Sequence, residues 1–102
     1  AGGLAQRNVT VFADGEVDRS PCGSGTSARL AILHARGEIG LDAPFHHRSI
    51  VESAFEASVT GVTEVAGRAA VVTEVAGSAY RIGEHAFTLD ERDPIGTGFL
   101  LR

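Results

Sequence analysis

The chain has 102 residues, 43% hydrophobic and 22% charged, with nine arginines, no lysine and a net charge of −4. That length holds at most one small domain, and the composition is too apolar for a disordered segment. The arginines are spread out and no apolar run reaches the roughly 18 residues of a membrane span, so neither nucleic acid nor a membrane is expected as a partner.

The sequence shows no secretory leader pattern. Its single cysteine can form neither an internal disulfide nor a cysteine-rich zinc site, so a reducing, cytoplasmic setting is expected. The opening "AGGLAQRN" lacks methionine, as does the whole chain. A processed start and a piece of a longer protein both fit.

In chain order, "RNVTVFA" (Arg7 to Ala13) alternates, with Val9 and Val11 on one face, and reads as a strand. Asp14-Gly15 signals a hairpin turn, with Glu16 to Asp18 returning. A helix then runs to about Arg36, where Gly37 stops it. Leu30, Ala31, Ile32 and Leu33 are consecutive and make that helix apolar nearly all round, so it wants enclosure. "RSIVESAFEASVT" (Arg48 to Thr60) reads as one long strand, with Val51, Ser53, Phe55, Ala57 and Val59 on one face and Gly61 breaking it. "VTEVAG" occurs twice, at Val62–Gly67 and Val72–Gly77, which is too little for a solenoid and reads as two similar β segments. "SAYRIG" and "EHAFTLD" add two short strands around Gly83, and "DPIGTGFLLR" a turn and a last strand. The expected fold class is α+β, a curved sheet or barrel wrapped around one central helix.

The chemistry concentrates in "DRSPCGSGTSARLA", Asp18 to Ala31. Ser20 suits an N-cap and Pro21 the first helical position, which puts Cys22 in the first turn. Gly23, Ser24 and Gly25 are small enough for a ligand to reach the backbone. Free N–H groups there stabilise a thiolate and can bind a carboxylate. Thiol and anion site side by side suit proton transfer at the carbon next to a carboxylate. A P-loop is excluded by the absence of lysine, and "CGSGT" does not satisfy the G-x-S-x-G nucleophile elbow. His34, twelve residues on, is roughly 18 Å along the axis and cannot pair locally with Cys22. The competing reading is a small buried hydrophobe.

This stretch resembles the second catalytic-cysteine motif of the proline racemase family. "VTVFADGEVDRSPCG" before it, "HHRSIVESAF" after it and the closing "DERDPIGTGFLL" agree, so the resemblance covers nearly the whole chain. It implies the diaminopimelate epimerase fold, two similar halves each with a β-barrel-like sheet around a helix. It also implies a cofactor-free, two-base inversion of a cyclic amino acid, proline or hydroxyproline. Cys22 matches one acid/base, Asp18 the contact to the ring nitrogen, and Gly23 and Ser24 the backbone positions that hold the carboxylate. Where the family often has threonine, Ser24 keeps the hydroxyl and the N–H. The first catalytic residue would lie upstream, so residues 1–102 are expected to be the C-terminal part of a longer two-half enzyme. The missing N-terminal half is then a partner, and a homodimer is compatible. No metal is expected.

His46 and His47 would point to opposite faces of a strand, which disfavours a joint metal site and suggests surface or hydrogen-bonded roles. His85 is read as structural, His34 as a helix-surface residue, and Glu52, Glu56, Glu64 and Glu74 as solvated sheet positions. The first functional choice is 4-hydroxyproline 2-epimerase, then proline racemase, then 3-hydroxyproline dehydratase. The alternative from another class is a non-catalytic β-domain with an inert buried cysteine.

Overall fold

A computed structural model describes residues 3–101. The elements are β1 (Leu4–Arg7), β2 (Val11–Phe12), β3 (Glu16–Val17), α1 (Gly23–Ala35), β4 (Phe45–Arg48), β5 (Ala54–Val65) and β6 (Arg68–Ala76). One sheet has the order β1-β4-β5-β6, and β2 and β3 form a separate hairpin. β1 runs parallel to β4, with Leu4 opposite Phe45, while β4–β5 and β5–β6 are antiparallel. The parallel pair requires a long crossover, and here that connection contains the β2–β3 hairpin and α1.

The sequence expectation of one strand from Arg7 to Ala13 gives way to two short ones, β1 ending at Arg7 and β2 beginning at Val11, separated by Asn8, Val9 and Thr10. The hairpin forms where Asp14-Gly15 signalled it, with Phe12 opposite Glu16 and positive φ at Ala13 and Gly15. The expected strand from Arg48 to Thr60 is also two pieces. Residues 49–53 turn the chain between β4 and β5, and Glu52 has φ +70. Ser49 drives this turn: its amide donates to the Ser53 carbonyl at 2.8 Å and its carbonyl accepts from Glu52 N at 3.1 Å. Gly61 does not end β5. The ladder slips between Val59 and Gly61, leaving Thr60 as an extra bulged residue, and continues to Val65. Ala66 and Gly67, at the end of the first "VTEVAG", both have positive φ and close the two-residue turn into β6.

α1 ends as expected. Gly37 has φ +72, its N–H bonds the His34 carbonyl at 3.0 Å, and Glu38 N–H bonds the Leu33 carbonyl at 2.9 Å. Those two bonds are the Schellman pattern, which glycine enters without steric penalty. Leu30 and Leu33 are 0% and 2% exposed and pack with Ile39, Ala43, Phe45, Ala57 and Val59, so the core lies between α1 and one face of the sheet. Ser27 Oγ meets Thr73 Oγ1 of β6 at 2.9 Å and ties the helix down further along.

The fold class is thus mixed α/β with one helix on a mainly antiparallel sheet, but the sheet is open, not a closed barrel, and covers one side of the helix. Ile32 on the other side stays 44% exposed. The strands expected over 78–90 and at the end of the chain do not form: residues 77–101 hold no strand or helix, only turns within 91–97, and Arg102 lies outside the described residues. The alternation is present, but a strand needs a partner for its amides and carbonyls, and none of the described strands pairs with this segment. Its apolar side chains are left in water, with Tyr80 79% and Phe87 90% exposed. The Cα radius of gyration is 18.8 Å, against about 13 Å for a compact domain of 100 residues.

Candidate functional site around Cys22

The sequence places the helix cap two residues too early. Cys22 itself is the N-cap, with φ 69° and ψ 118°, and α1 begins at Gly23. The reason lies in Ser20. Its Oγ accepts the Cys22 N–H at 3.0 Å, and its own N–H donates to Asp18 Oδ1 at 2.8 Å. Two local side-chain turns follow one another, so the Ser20 hydroxyl is occupied before the helix starts. The first helical bond is Thr26 N–H to the Cys22 carbonyl, 2.8 Å. The amides of Gly23, Ser24 and Gly25 therefore have no carbonyl within the helix to bond.

The Cys22 thiol is free and partly exposed, which removes the inert-core reading for this residue. Its Sγ lies 3.5 Å from Ser24 Oγ. The thiol titrates below its ordinary value, chiefly through the Ser24 hydroxyl and then the Gly25 amide; slight burial and the Asp18 carboxylate oppose the shift, and the Ser24 amide adds to it. A Cβ on Gly23 would meet nothing within 4 Å, and one on Gly25 would make only ordinary contact with the Cys22 side chain at 3.6 Å. The backbone at Gly23 is consequently open to a small anion. Cys22, Gly23 and Ser24 come together on one helix start, and Asp18 is close enough to act on the thiol.

An open hollow of about 640 Å³ lies beside this start, lined by Asp18, Arg19 and Ser20 on one side and by Glu52, Phe55 and Tyr80 on the other. Asp18 belongs to it. Cys22, Gly23 and Ser24 do not, so within this chain the thiol is not enclosed by it.

The loop carrying the site is held by residues to which the sequence reading gave no part in the site, although it allowed His47 a hydrogen-bonded role. Asn8 Nδ2 donates to the Pro21 carbonyl at 2.7 Å, and Thr26 Oγ1 stands 3.5 Å from the same oxygen. Thr26, fully buried, also meets His47 Nδ1 at 2.8 Å. Ser49 Oγ donates to the Arg19 carbonyl at 2.9 Å, and Ser53 Oγ reaches the same atom. One signal for Thr26 was present: four residues after Cys22, it shares a helix face with it. Asn8 and the serines give none, because they act across the fold.

His46 and His47 do point to opposite faces. His46 pairs with Glu56 near the surface, while His47 is 3% exposed. Burial, then the Arg29 charge, hold His47 below the ordinary imidazole value. His34 is half-buried on the helix and His85 is exposed beside Phe87, with ring centroids 5.9 Å apart. Glu52, Glu56, Glu64 and Glu74 lie exposed as expected, but Glu52 sits in the turn before β5 rather than on the sheet, where it pairs with Arg7 and Arg48. Among the described residues no group of three histidine, cysteine, aspartate or glutamate side chains is placed to hold a metal, and no helix is long and apolar enough to cross a membrane.

Comparison with known proteins agrees with this frame. The proline racemase of Clostridioides difficile is 47% identical over 96 residues, covering 94% of this chain and 29% of that protein. A trans-3-hydroxy-L-proline dehydratase of Bacillus cereus is 50% identical over 95 residues, covering 93% and 28%. The crystal structure of a hydroxyproline epimerase from Agrobacterium vitis, with bound trans-4-hydroxy-L-proline, superimposes with a TM-score of 0.75 at 47% identity, covering 93% of this chain and 27% of that one. The chain thus spans under a third of the length of the curated relatives it matches. The model of the family described as "Proline racemase" matches residues 1–100, and the chain belongs to that family.

Proposed function

We propose that this chain is the C-terminal part of a cofactor-independent isomerase that inverts the α-carbon of a cyclic amino acid. In the whole protein it would be one half of a diaminopimelate epimerase-like fold in a cytoplasmic enzyme. The observation that carries the proposal is the Cys22 thiol at the start of α1, with its proton loosened by the Ser24 hydroxyl and the helix amides. In a member of this family such a thiol is suited to take or return an α-proton near neutral pH.

In this mechanism the substrate carboxylate lies on the amides of Gly23 and Ser24, which no carbonyl of the helix accepts and where the helix dipole favours negative charge. Asp18 binds the cationic ring nitrogen from the adjoining hollow. Cys22 serves one face of the α-carbon, and a second group on the other face completes the inversion. That group is not in this chain, which has one cysteine. The carboxylate site and the thiol share the same short run, so binding the substrate there brings the α-carbon to the sulfur.

Among substrates, 4-hydroxyproline is the first choice, and the ligand in the similar epimerase structure supports it. The identity to a proline racemase and to a 3-hydroxyproline dehydratase keeps both as alternatives. The experiment is product NMR of the full-length enzyme in deuterium oxide. Epimerised 4-hydroxyproline with deuterium at the α-carbon is expected. Inversion of proline alone would reassign the substrate. Water loss from 3-hydroxyproline, with 4-hydroxyproline inert, would make it a dehydratase. No exchange at any α-carbon would overturn the isomerase reading.

A further inference from the structure

The backbone at Pro21 and Cys22 is gripped from two directions. On one side Asn8, between β1 and β2, donates its amide to the Pro21 carbonyl at 2.7 Å. On the other, Thr26 bonds the Cys22 carbonyl through its N–H at 2.8 Å and faces the Pro21 carbonyl with its hydroxyl at 3.5 Å. A hydroxyl has a single proton, and this one has two acceptors within reach, Pro21 O and His47 Nδ1. The arrangement that serves all three groups puts the imidazole proton on Nδ1. His47 then donates to Thr26 Oγ1 at 2.8 Å, and Thr26 turns its proton to Pro21.

The grip matters because Cys22 has φ +69, a conformation that residues with a side chain adopt only when their surroundings hold them there. That φ sets the direction of the Cα–Cβ bond and with it the place of the sulfur. We infer that His47, acting through Thr26, and Asn8, acting directly, are positioning residues that hold Cys22 in its left-handed conformation and so keep its sulfur against Ser24 and the helix amides. The inference rests on the reading of Cys22 as an acid/base for its relevance to turnover, but its effect on the thiol does not depend on that reading. His47 is suited to the task. It is buried on β4 between Gln6 of β1 and Phe55 of β5 in register, its ring lies 4.8 Å from that of Phe45, and the charged group facing it from α1 is Arg29. Asp18 is the charged group facing the thiol. Asn8 Oδ1 is buried with no hydrogen-bond partner among the described residues, so the side chain is held by its single bond to Pro21.

The test is the pH dependence of Cys22 alkylation by iodoacetamide in the full-length protein, followed by mass spectrometry of the peptide carrying Cys22. His47→Leu and Asn8→Leu are expected to slow alkylation at neutral pH roughly three- to tenfold and to move the profile toward higher pH, as the thiolate loses its donors. Thr26→Val should do the same, and the double variant His47→Leu/Thr26→Val should be no slower than either alone, because the two act in one line. His47→Asn, whose side-chain amide lies where Nδ1 does and can still donate to Thr26, should recover most of the rate. If the leucine variants fail to fold, the Thr26→Val and His47→Asn profiles decide. Wild-type alkylation profiles in folded Thr26→Val and His47→Leu, or additive effects in the double variant, would overturn the inference. Turnover is measured alongside, with kcat expected to fall and KM to change little. Shifted thiol profiles in a protein that inverts no amino acid would leave the positioning role standing and remove the isomerase reading.

Discussion

The Ser24 hydroxyl lies 3.5 Å from the Cys22 sulfur, two residues away across the start of α1. It is the largest influence holding the thiol below its ordinary value. Ser24→Ala is therefore expected to raise the pH at which Cys22 becomes reactive, and Ser24→Thr to leave it nearly unchanged. The measurement is the pH profile of thiol alkylation. An alanine variant with the wild-type profile would remove Ser24 from the account.

Cys22→Ser should abolish most turnover in the full-length enzyme while leaving thermal unfolding close to wild type. A serine hydroxyl is a far weaker acid near neutral pH and cannot exchange an α-proton at a useful rate. Near-normal turnover by this variant would show that the sulfur is a bystander.

Asp18 gives two effects of opposite sign. Its carboxylate raises the Cys22 pKa, so Asp18→Asn should make the thiol react at slightly lower pH. The same change removes the proposed charge on the ring nitrogen. A charge-assisted hydrogen bond is worth roughly 1.5–3 kcal/mol, so kcat/KM should fall by about ten- to a hundredfold. The local turn should survive, since asparagine keeps the oxygen that accepts Ser20 N–H. A more reactive thiol together with lower kcat/KM is the expected pair of results. Unchanged kcat/KM would make Asp18 structural only.

His47 links stability to acid. Its folded-state pKa is depressed from the ordinary 6.5 by burial and by Arg29. Above pH 6.5 both folded and unfolded forms are neutral and the group costs nothing. As pH falls below that value the unfolded chain takes up the proton first, and the folded state loses ground. The melting temperature should thus decline from about pH 6.5 downward, and His47→Gln should flatten part of that decline. Melting curves of the two proteins between pH 5 and 8 that run parallel would contradict this.

Gly37→Ala tests the helix stop. The position has φ +72 and closes both Schellman bonds. Nothing lies within 4 Å of a Cβ there, so the penalty comes from the backbone alone. A loss of about 1 kcal/mol is expected in chemical denaturation. No loss would mean that the end of α1 adapts.

Much of this was legible in the sequence because it is local. Gly37, Asp14-Gly15 and the apolar helix carry their own instructions within a few residues. The start of α1 was misplaced because Ser20 can cap either a helix or a turn, and only the bond it makes to Cys22 N–H decides between them. The strands expected after Ser78 failed for a different reason: alternation says which face a strand would bury, but not whether a neighbour exists. His47 lay just before the expected strand at Arg48, and its adjacency to His46 says only that on a strand the two faces differ, not which one meets the helix. The clamp of Asn8, Thr26 and His47 joins three separate segments, and no spacing rule reaches that far.

The left-handed backbone at Cys22 sets stability against activity at a single position. A glycine there would suit φ +69 better than cysteine does, and relief of that strain is worth about 1 kcal/mol or more. Cys22→Gly would then yield a protein that melts higher and does nothing. The residue whose removal relaxes this loop is the one on which the proposed chemistry depends, so screens for thermal robustness alone would select against the proposed acid/base.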